Sequence, residues 1–317
     1  MKRLAVLGHP VAHSRSPAMQ SAALGEAGLG EEWSYEAIDV EPAGLADLLA
    51  RMPGEGFVGA NVTVPHKVAA LALADRATPR AVAIGAANTL TFTENGIEAE
   101  NTDAPGLIAA LVEPGQRSGS AAGQAPTAHP AAASLVDSRA LVLGAGGAAR
   151  AAVWALLDAG AGIAVWNRTP ERAEALCADL GGTPLSIDPA TTRPPVSAAG
   201  QPPAGPPPSD PELSAAEYDL IVNCTAAGLA GEDPFAALPL EPAGFRAGQT
   251  VVDMVYSATA AGSGGELLAA ARAAGATVID GLEILVRQGA LSFEIWTGRP
   301  AALEPMRRAA RDVSGDQ

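Results

Sequence analysis

Short apolar runs alternate along the chain with stretches whose apolar positions recur at helical spacing. Residues 4–7, 34–38 and 57–62 read as strands, and 17–27, 42–51 and 68–73 as helices. Strand–helix alternation of this kind gives βαβ units and a mostly parallel sheet, an α/β fold. Residues 87–92 and 97–100 flank Glu94-Asn95-Gly96, and Asn-Gly supplies the positive φ of a tight antiparallel hairpin. Asn101-Thr102-Asp103 then opens a helix toward Leu111, with Pro105 falling in its first turn.

The pattern restarts further on. Strand 140–143, helix 148–159, strand 163–166 and helix 170–180 follow in order, with later strands expected at 218–223, 251–255 and 277–279. A final helix begins near Leu282 and carries Ile284, Leu285, Leu291, Ile295 and Trp296, a face expected to return to the first domain. The expected layout is therefore two domains: a discontinuous catalytic domain, 1–112 with 281–317, and a second domain, 135–280. Two tracts break the periodicity. Residues 113–134 turn to Gly, Ser, Ala, Gln and Pro and are expected to be a flexible linker, and 188–211, with Pro206-Pro207-Pro208, a disordered insertion.

Composition narrows the function. A chain of 317 residues with 48% hydrophobic content has room for two sizeable cores. Its net charge of −15 repels phosphate backbones and anionic lipid, so neither nucleic acid nor a membrane surface is an expected partner. No charged-then-apolar leader precedes the first strand and no apolar run is long enough to span a bilayer, so a cytoplasmic protein is expected. Cys177 and Cys224 lie far apart in apolar contexts with no histidine near in sequence, which fits reduced packing residues rather than a catalytic thiol.

Four segments carry chemistry. Lys67 closes Asn61-Val62-Thr63-Val64-Pro65-His66-Lys67 just as a strand ends, the place where open α/β sheets bind ligands; an ammonium there can exchange protons. Gly144-Ala145-Gly146-Gly147-Ala148-Ala149-Arg150 fits G-x-G-x-x-A between a strand and a helix. Its glycines allow the turn and the approach of a pyrophosphate, and the helix N-terminus faces the phosphates. After the next strand, where a carboxylate would hold a ribose 2′-hydroxyl, stands Asn167-Arg168-Thr169; Arg168, with Thr169 and Arg172, suits a 2′-phosphate and favours NADP over NAD. In the loop before Pro17, Ser14 and Ser16 offer two hydroxyls to a carboxylate, with helix capping the plainer role for Ser16.

Together these segments resemble the shikimate dehydrogenase family over nearly the whole chain. The resemblance rests on His13-Ser14-Arg15-Ser16-Pro17, the 61–67 run, Gly85-Ala86-Ala87-Asn88-Thr89, Asn101-Thr102-Asp103, the 144–150 loop, Asn167-Arg168-Thr169, Asp253-Met254-Val255-Tyr256 and Gln288-Gly289-Ala290. It implies a substrate domain with a mostly parallel sheet, a Rossmann-type NADP-binding domain, and reduction of 3-dehydroshikimate to shikimate in aromatic amino acid biosynthesis, with no metal. By the same resemblance Lys67 and Asp103 are the catalytic pair, and Ser14, Ser16, Thr63, Asn88, Asp103, Tyr256 and Gln288 hold the substrate. Gly144, Ala145, Gly146, Gly147, Ala148, Asn167, Arg168, Thr169, Arg172, Met254 and Gly281 surround NADP, with Thr225 and Ala226 nearby; the protein would be a monomer or homodimer.

Three departures stand out. Residues 257–266 lack the prolines and Thr-Pro-Leu-Leu run usual after Tyr256, Glu283-Ile284 replaces a common Gly-Met beside the nicotinamide, and Gln20-Ser21 replaces a frequent His-Asn. The rival readings are a quinate or dual quinate/shikimate dehydrogenase using NAD(P), and a non-catalytic NADP(H) sensor. Retention of Lys67 and Asp103 weighs against the sensor, which needs neither.

Overall fold

The computed structural model describes residues 1–112, 135–186, 213–229, 231–255 and 265–312. The expected linker, the expected insertion and Tyr256 lie outside the described residues.

The first sheet is built from β1 (Lys2–Gly8), β2 (Trp33–Asp39), β3 (Phe57–Val62), β4 (Arg76–Ala77), β5 (Thr89–Thr93) and β6 (Gly96–Glu100), in the order β2-β1-β3-β5-β6-β4. β1, β2 and β3 run parallel, while β5 is antiparallel to both β3 and β6. The Asn95-Gly96 hairpin is therefore present, and it reverses the chain so that β5 ends one flank of the parallel strands. Helices α1 (Ser16–Glu26), α2 (Leu45–Arg51), α3 (Lys67–Ala72) and α4 (Pro79–Ile84) connect these strands, and α5 (Asp103–Val112) follows the last of them, β6.

The second sheet is parallel throughout. It comprises β7 (Arg139–Leu143), β8 (Gly162–Trp166), β9 (Thr183–Leu185), β10 (Leu220–Asn223), β11 (Thr250–Asp253) and β12 (Thr277–Ile279), in the order β12-β11-β10-β7-β8-β9, with α6 (Gly147–Asp158), α7 (Pro170–Leu180) and α8 (Glu266–Ala273) among its connections. Strand order turns back beside β7, and a crevice at such a switch point is where doubly wound sheets take ligands.

Two further helices, α9 (Gly281–Thr297) and α10 (Leu303–Arg311), complete the chain. α9 opens on Asp280, whose carboxylate accepts from the Glu283 amide. Its first turn puts Ile284 in a core with Val142, Val165 and Val252 of the second sheet, while Val286 and Phe293 join Leu4, Val6, Met19 and Met306 beside the first. Each such side chain contributes roughly 1.5–3 kcal/mol on burial, which is why the returning helix stays on both. Phe293 and Met306 are fully buried.

Five described elements were not expected from the sequence: α4, β4, β9, α8 and α10. The strand expected from residue 87 starts instead at Thr89, because Ala87 and Asn88 are held in the connection: the Ala87 amide donates to the Lys67 carbonyl and the Asn88 amide to that of Glu100.

Candidate active site

Lys67 is the first residue of α3, immediately after the cis Val64–Pro65 peptide. Its Nζ lies 2.6 Å from Oδ2 of Asp103, and the two side chains are 13% and 6% exposed. Asp103 starts α5, where the helix dipole favours a carboxylate. The Asn101-Thr102-Asp103 motif divides three tasks. Asn101 Oδ1 accepts the Ala104 amide and so caps the helix, while its Nδ2 donates to the Ala86 carbonyl. The Thr102 amide donates to Asn88 Oδ1 at 2.7 Å. That bond fixes which way the Asn88 amide faces, so Asn88 Nδ2 points at Asp103 Oδ1, 2.9 Å away.

Asn88 Nδ2 also lies 2.9 Å from Gln288 Oε1, on α9, and 2.9 Å from Thr102 Oγ1. Asn88, Asp103 and Gln288 are all buried. Ser14 and Ser16 sit at the start of α1, where Ser14 Oγ accepts the Ser16 amide at 3.3 Å. Ser16 is the first helical residue rather than the cap; Arg15 occupies that position. Thr63 follows β3, its amide donating to the Leu7 carbonyl and its carbonyl accepting from His66. His66 itself turns away, its Nε2 donating to the Val40 carbonyl at 2.7 Å.

On the other side, Gly144 follows β7 with φ of 109°, a conformation that favours glycine. Gly146 caps α6 and is exposed, with open space where a side chain would project. Gly147 has a different reason. A Cβ there would come 2.6 Å from the Lys67 Cβ, so the glycine-rich loop passes directly against Lys67 and only glycine fits. Ala149 is fully buried against the sheet, and Arg150 reaches back across to α4, donating from Nε to the Ile84 carbonyl at 2.7 Å. Ala145 and Ala148 are half-buried in the same loop.

After β8, Asn167 Nδ2 donates to the Thr169 carbonyl. Thr169 holds the cap position of α7 without a side-chain capping bond, and Arg168, Thr169 and Arg172 are exposed. Neither arginine makes an ion pair among the described residues. Thr225 donates its hydroxyl to Asn223 Oδ1 at 2.7 Å, and Ala226 beside it is exposed. Gly281 opens α9 against the Met254 carbonyl, which a Cβ would meet at 2.7 Å. An open path past Gly146, a helix N-terminus and two unpaired guanidiniums fit a dinucleotide with an extra phosphate.

Glu283 does not face that path. It is buried with Arg287 Nε at 2.7 Å and Arg307 Nη2 at 2.8 Å, so the glutamate that stands in place of the common glycine fastens α10 to α9. Gln20, replacing the family histidine, donates to the Gly289 carbonyl at 2.9 Å and so holds α9 next to Gln288. Burial pushes the thiols of Cys177 and Cys224 up from their ordinary range, with Cys224 Sγ 3.4 Å from Met254 Sδ. Among the described residues no group of three His, Cys, Asp or Glu side chains converges on one point.

Sequence reasoning gave no role to Asp253, Thr89, Thr102 or Ser292. Asp253 ends β11 buried, and burial raises its carboxyl to about 6 although Asn223 Nδ2 and the Val255 amide donate to it. Asp253, Thr89 and Thr102 lay inside quoted motifs, which was their signal; Ser292 had none.

Fold and site together define a two-domain α/β oxidoreductase that works with a dinucleotide. The shikimate dehydrogenase substrate-binding domain matches residues 6–90, the shikimate/quinate 5-dehydrogenase domain residues 127–192, and the shikimate 5′-dehydrogenase C-terminal domain residues 281–311. A shikimate dehydrogenase (NADP(+)) of Anaeromyxobacter dehalogenans is 43% identical over 98% of this chain and 96% of its own length. The chain belongs to the shikimate dehydrogenase family. Among solved structures, the shikimate 5-dehydrogenase of Thermus thermophilus in complex with NADP(H) and shikimate is 38% identical, covering 99% of this chain and 100% of that one, with a TM-score of 0.76. The ligand-free 5-ketofructose reductase of a Gluconobacter species is 29% identical over 98% and 97% of the two chains, with a TM-score of 0.72.

Proposed function

We propose that this enzyme reduces 3-dehydroshikimate to shikimate with NADPH, in the cytoplasm, as a step toward aromatic amino acids. The observation that carries the reading is the 2.6 Å Lys67–Asp103 pair, walled on one side by Gly147 of the dinucleotide loop. NADPH, once bound, supplies the hydride. Lys67 as ammonium donates its proton to the oxygen that gains charge as the carbonyl is reduced; in reverse, neutral Lys67 takes the hydroxyl proton. Asp103 orients the ammonium and accepts a hydrogen bond from a substrate hydroxyl. Asn88 and Gln288 hold the neighbouring hydroxyls, Ser14 and Ser16 the carboxylate, with Thr63 and Tyr256 completing the substrate set.

The 144–148 loop would cradle the pyrophosphate, Asn167, Arg168, Thr169 and Arg172 the 2′-phosphate, and Thr225, Met254 and Gly281 the nicotinamide end. The division into 1–112 with 281–317 and 135–280 belongs to the same reading, α9 serving both halves. The named relatives and the exposed guanidinium of Arg168 support NADP over NAD. The experiment follows NADPH oxidation by absorbance, offering 3-dehydroshikimate and then 3-dehydroquinate, and repeats each with NADH. The expected result is fastest turnover with NADPH and 3-dehydroshikimate; preference for 3-dehydroquinate or NADH overturns the choice.

A further inference from the structure

A fully buried set of polar side chains lies beneath Asn88 with no counterpart in the reaction scheme. Tyr35 OH donates to Asn61 Oδ1 at 2.8 Å. That contact turns the Asn61 amide so that Nδ2 faces Ser292 Oγ at 2.9 Å and the Asn88 carbonyl at 3.1 Å. Ser292 Oγ stands 2.8 Å from Thr89 Oγ1, 3.2 Å from Thr102 Oγ1 and 3.1 Å from the carbonyl of Gln288, one turn back on α9. A hydroxyl has one proton and two lone pairs, so Ser292 accepts from Asn61 and passes its own proton to one of these oxygens.

The chain of contacts then continues through Thr102 to Asp103. Thr102 is bound to Asn88 through both its amide and its hydroxyl, and Asn88 Nδ2 meets the carboxylate. Ser292 is thus the α9 hydroxyl that touches groups from β3, β5 and the turn before α5, with Thr89 Oγ1 beside it reaching Asn61 and Thr102 as well. Burial makes such a hub costly to leave half satisfied and therefore rigid when complete.

We propose that Ser292 is a positioning residue for the Lys67–Asp103 pair, acting through Thr102 and Asn88 to fix the direction of the carboxylate. This rests on the functional reading above. Removing the hydroxyl leaves the Asn61 amide, the Thr89 hydroxyl and the Thr102 hydroxyl each with one partner fewer, and so loosens Thr102, whose amide and hydroxyl hold the Asn88 amide. The expected loss of kcat for Ser292→Ala is about tenfold, the worth of a buried hydrogen bond with some cooperative excess.

The test compares wild type, Ser292→Ala, Asn88→Ala and the double variant, measuring kcat with shikimate and NADP+, NADP+ binding by calorimetry, and thermal midpoint. If Ser292 acts through Asn88, the double variant is no slower than Asn88→Ala alone, whereas a merely structural role gives losses that multiply. NADP+ affinity should stay within about twofold, since the hub touches no cofactor residue. Ser292→Cys, close in size but weak in hydrogen bonding, should reproduce the kcat loss if the alanine variant does not fold. Unchanged kcat, multiplying losses, or failure of both variants to fold overturns the proposal alone. A wild type without shikimate turnover overturns the functional reading and this inference with it.

Discussion

The proposed substrate side and the proposed cofactor side of the site are held in opposite ways. On the first, Asp103, Asn88, Thr102 and Gln288 are buried and bonded to one another before any ligand arrives. On the second, Gly146, Arg168, Thr169 and Arg172 are exposed, and among the described residues the two arginines meet no charged partner. The difference follows from what each side must do. A proton donor works only in one geometry, which a network fixed in advance provides without reorganisation during reaction. A phosphate brings its own charge and hydrogen-bond acceptors, so flexible guanidiniums can wait in water and pair on arrival. Asp253 is the exception on the cofactor side, a buried carboxyl with a raised pKa.

Breaking the fixed side should have the largest effect. Lys67→Ala removes the proton donor and is expected to lower kcat by about 10²- to 10⁴-fold in steady-state assays, with NADP+ binding retained; wild-type kcat would contradict its role. Breaking the waiting side should separate binding from chemistry. Arg168→Ala is expected to raise KM for NADP+ by roughly 10- to 100-fold while leaving kcat and the KM for NAD+ nearly unchanged, because the lost charge meets only the 2′-phosphate; equal losses with both cofactors would contradict that.

The smallest effect concerns Asp253 and sharpens the exception. With its carboxyl raised to about 6 in the folded state, the native protein binds a proton that the unfolded chain releases near 3.8. Between those values the native state holds more protons, so this group's contribution to stability falls as pH rises from about 4 to 6 and the deficit persists above. Asp253→Asn should abolish that part of the slope, worth on the order of 2 kcal/mol, in urea unfolding at pH 4.5 and 7 compared with wild type. Parallel curves for the two proteins would contradict the raised value.

Strands with short apolar runs were legible because burial on both faces demands such runs, and the hairpin because Asn95-Gly96 specifies its turn. The elements that escaped have a different basis. β4 and β9 are two and three residues long, too short for any period to register. α10 carries Pro305, Arg307 and Arg308, which read as polar, yet Arg307 is buried because Glu283, on another helix, neutralises it. The residues of the site were legible where motifs carried them. The lattice beneath was not, because Tyr35 and Ser292 look ordinary alone, and the motifs that hold Asn61 and Thr89 do not say that these side chains meet; that follows only when four elements come together.

Ile284 and Phe293 belong to different cores although they share one helix. Neither half can therefore come apart without withdrawing a supporting beam from its neighbour. Heat or denaturant that loosens one should carry the other with it, joining the melting of two sheets into a single event.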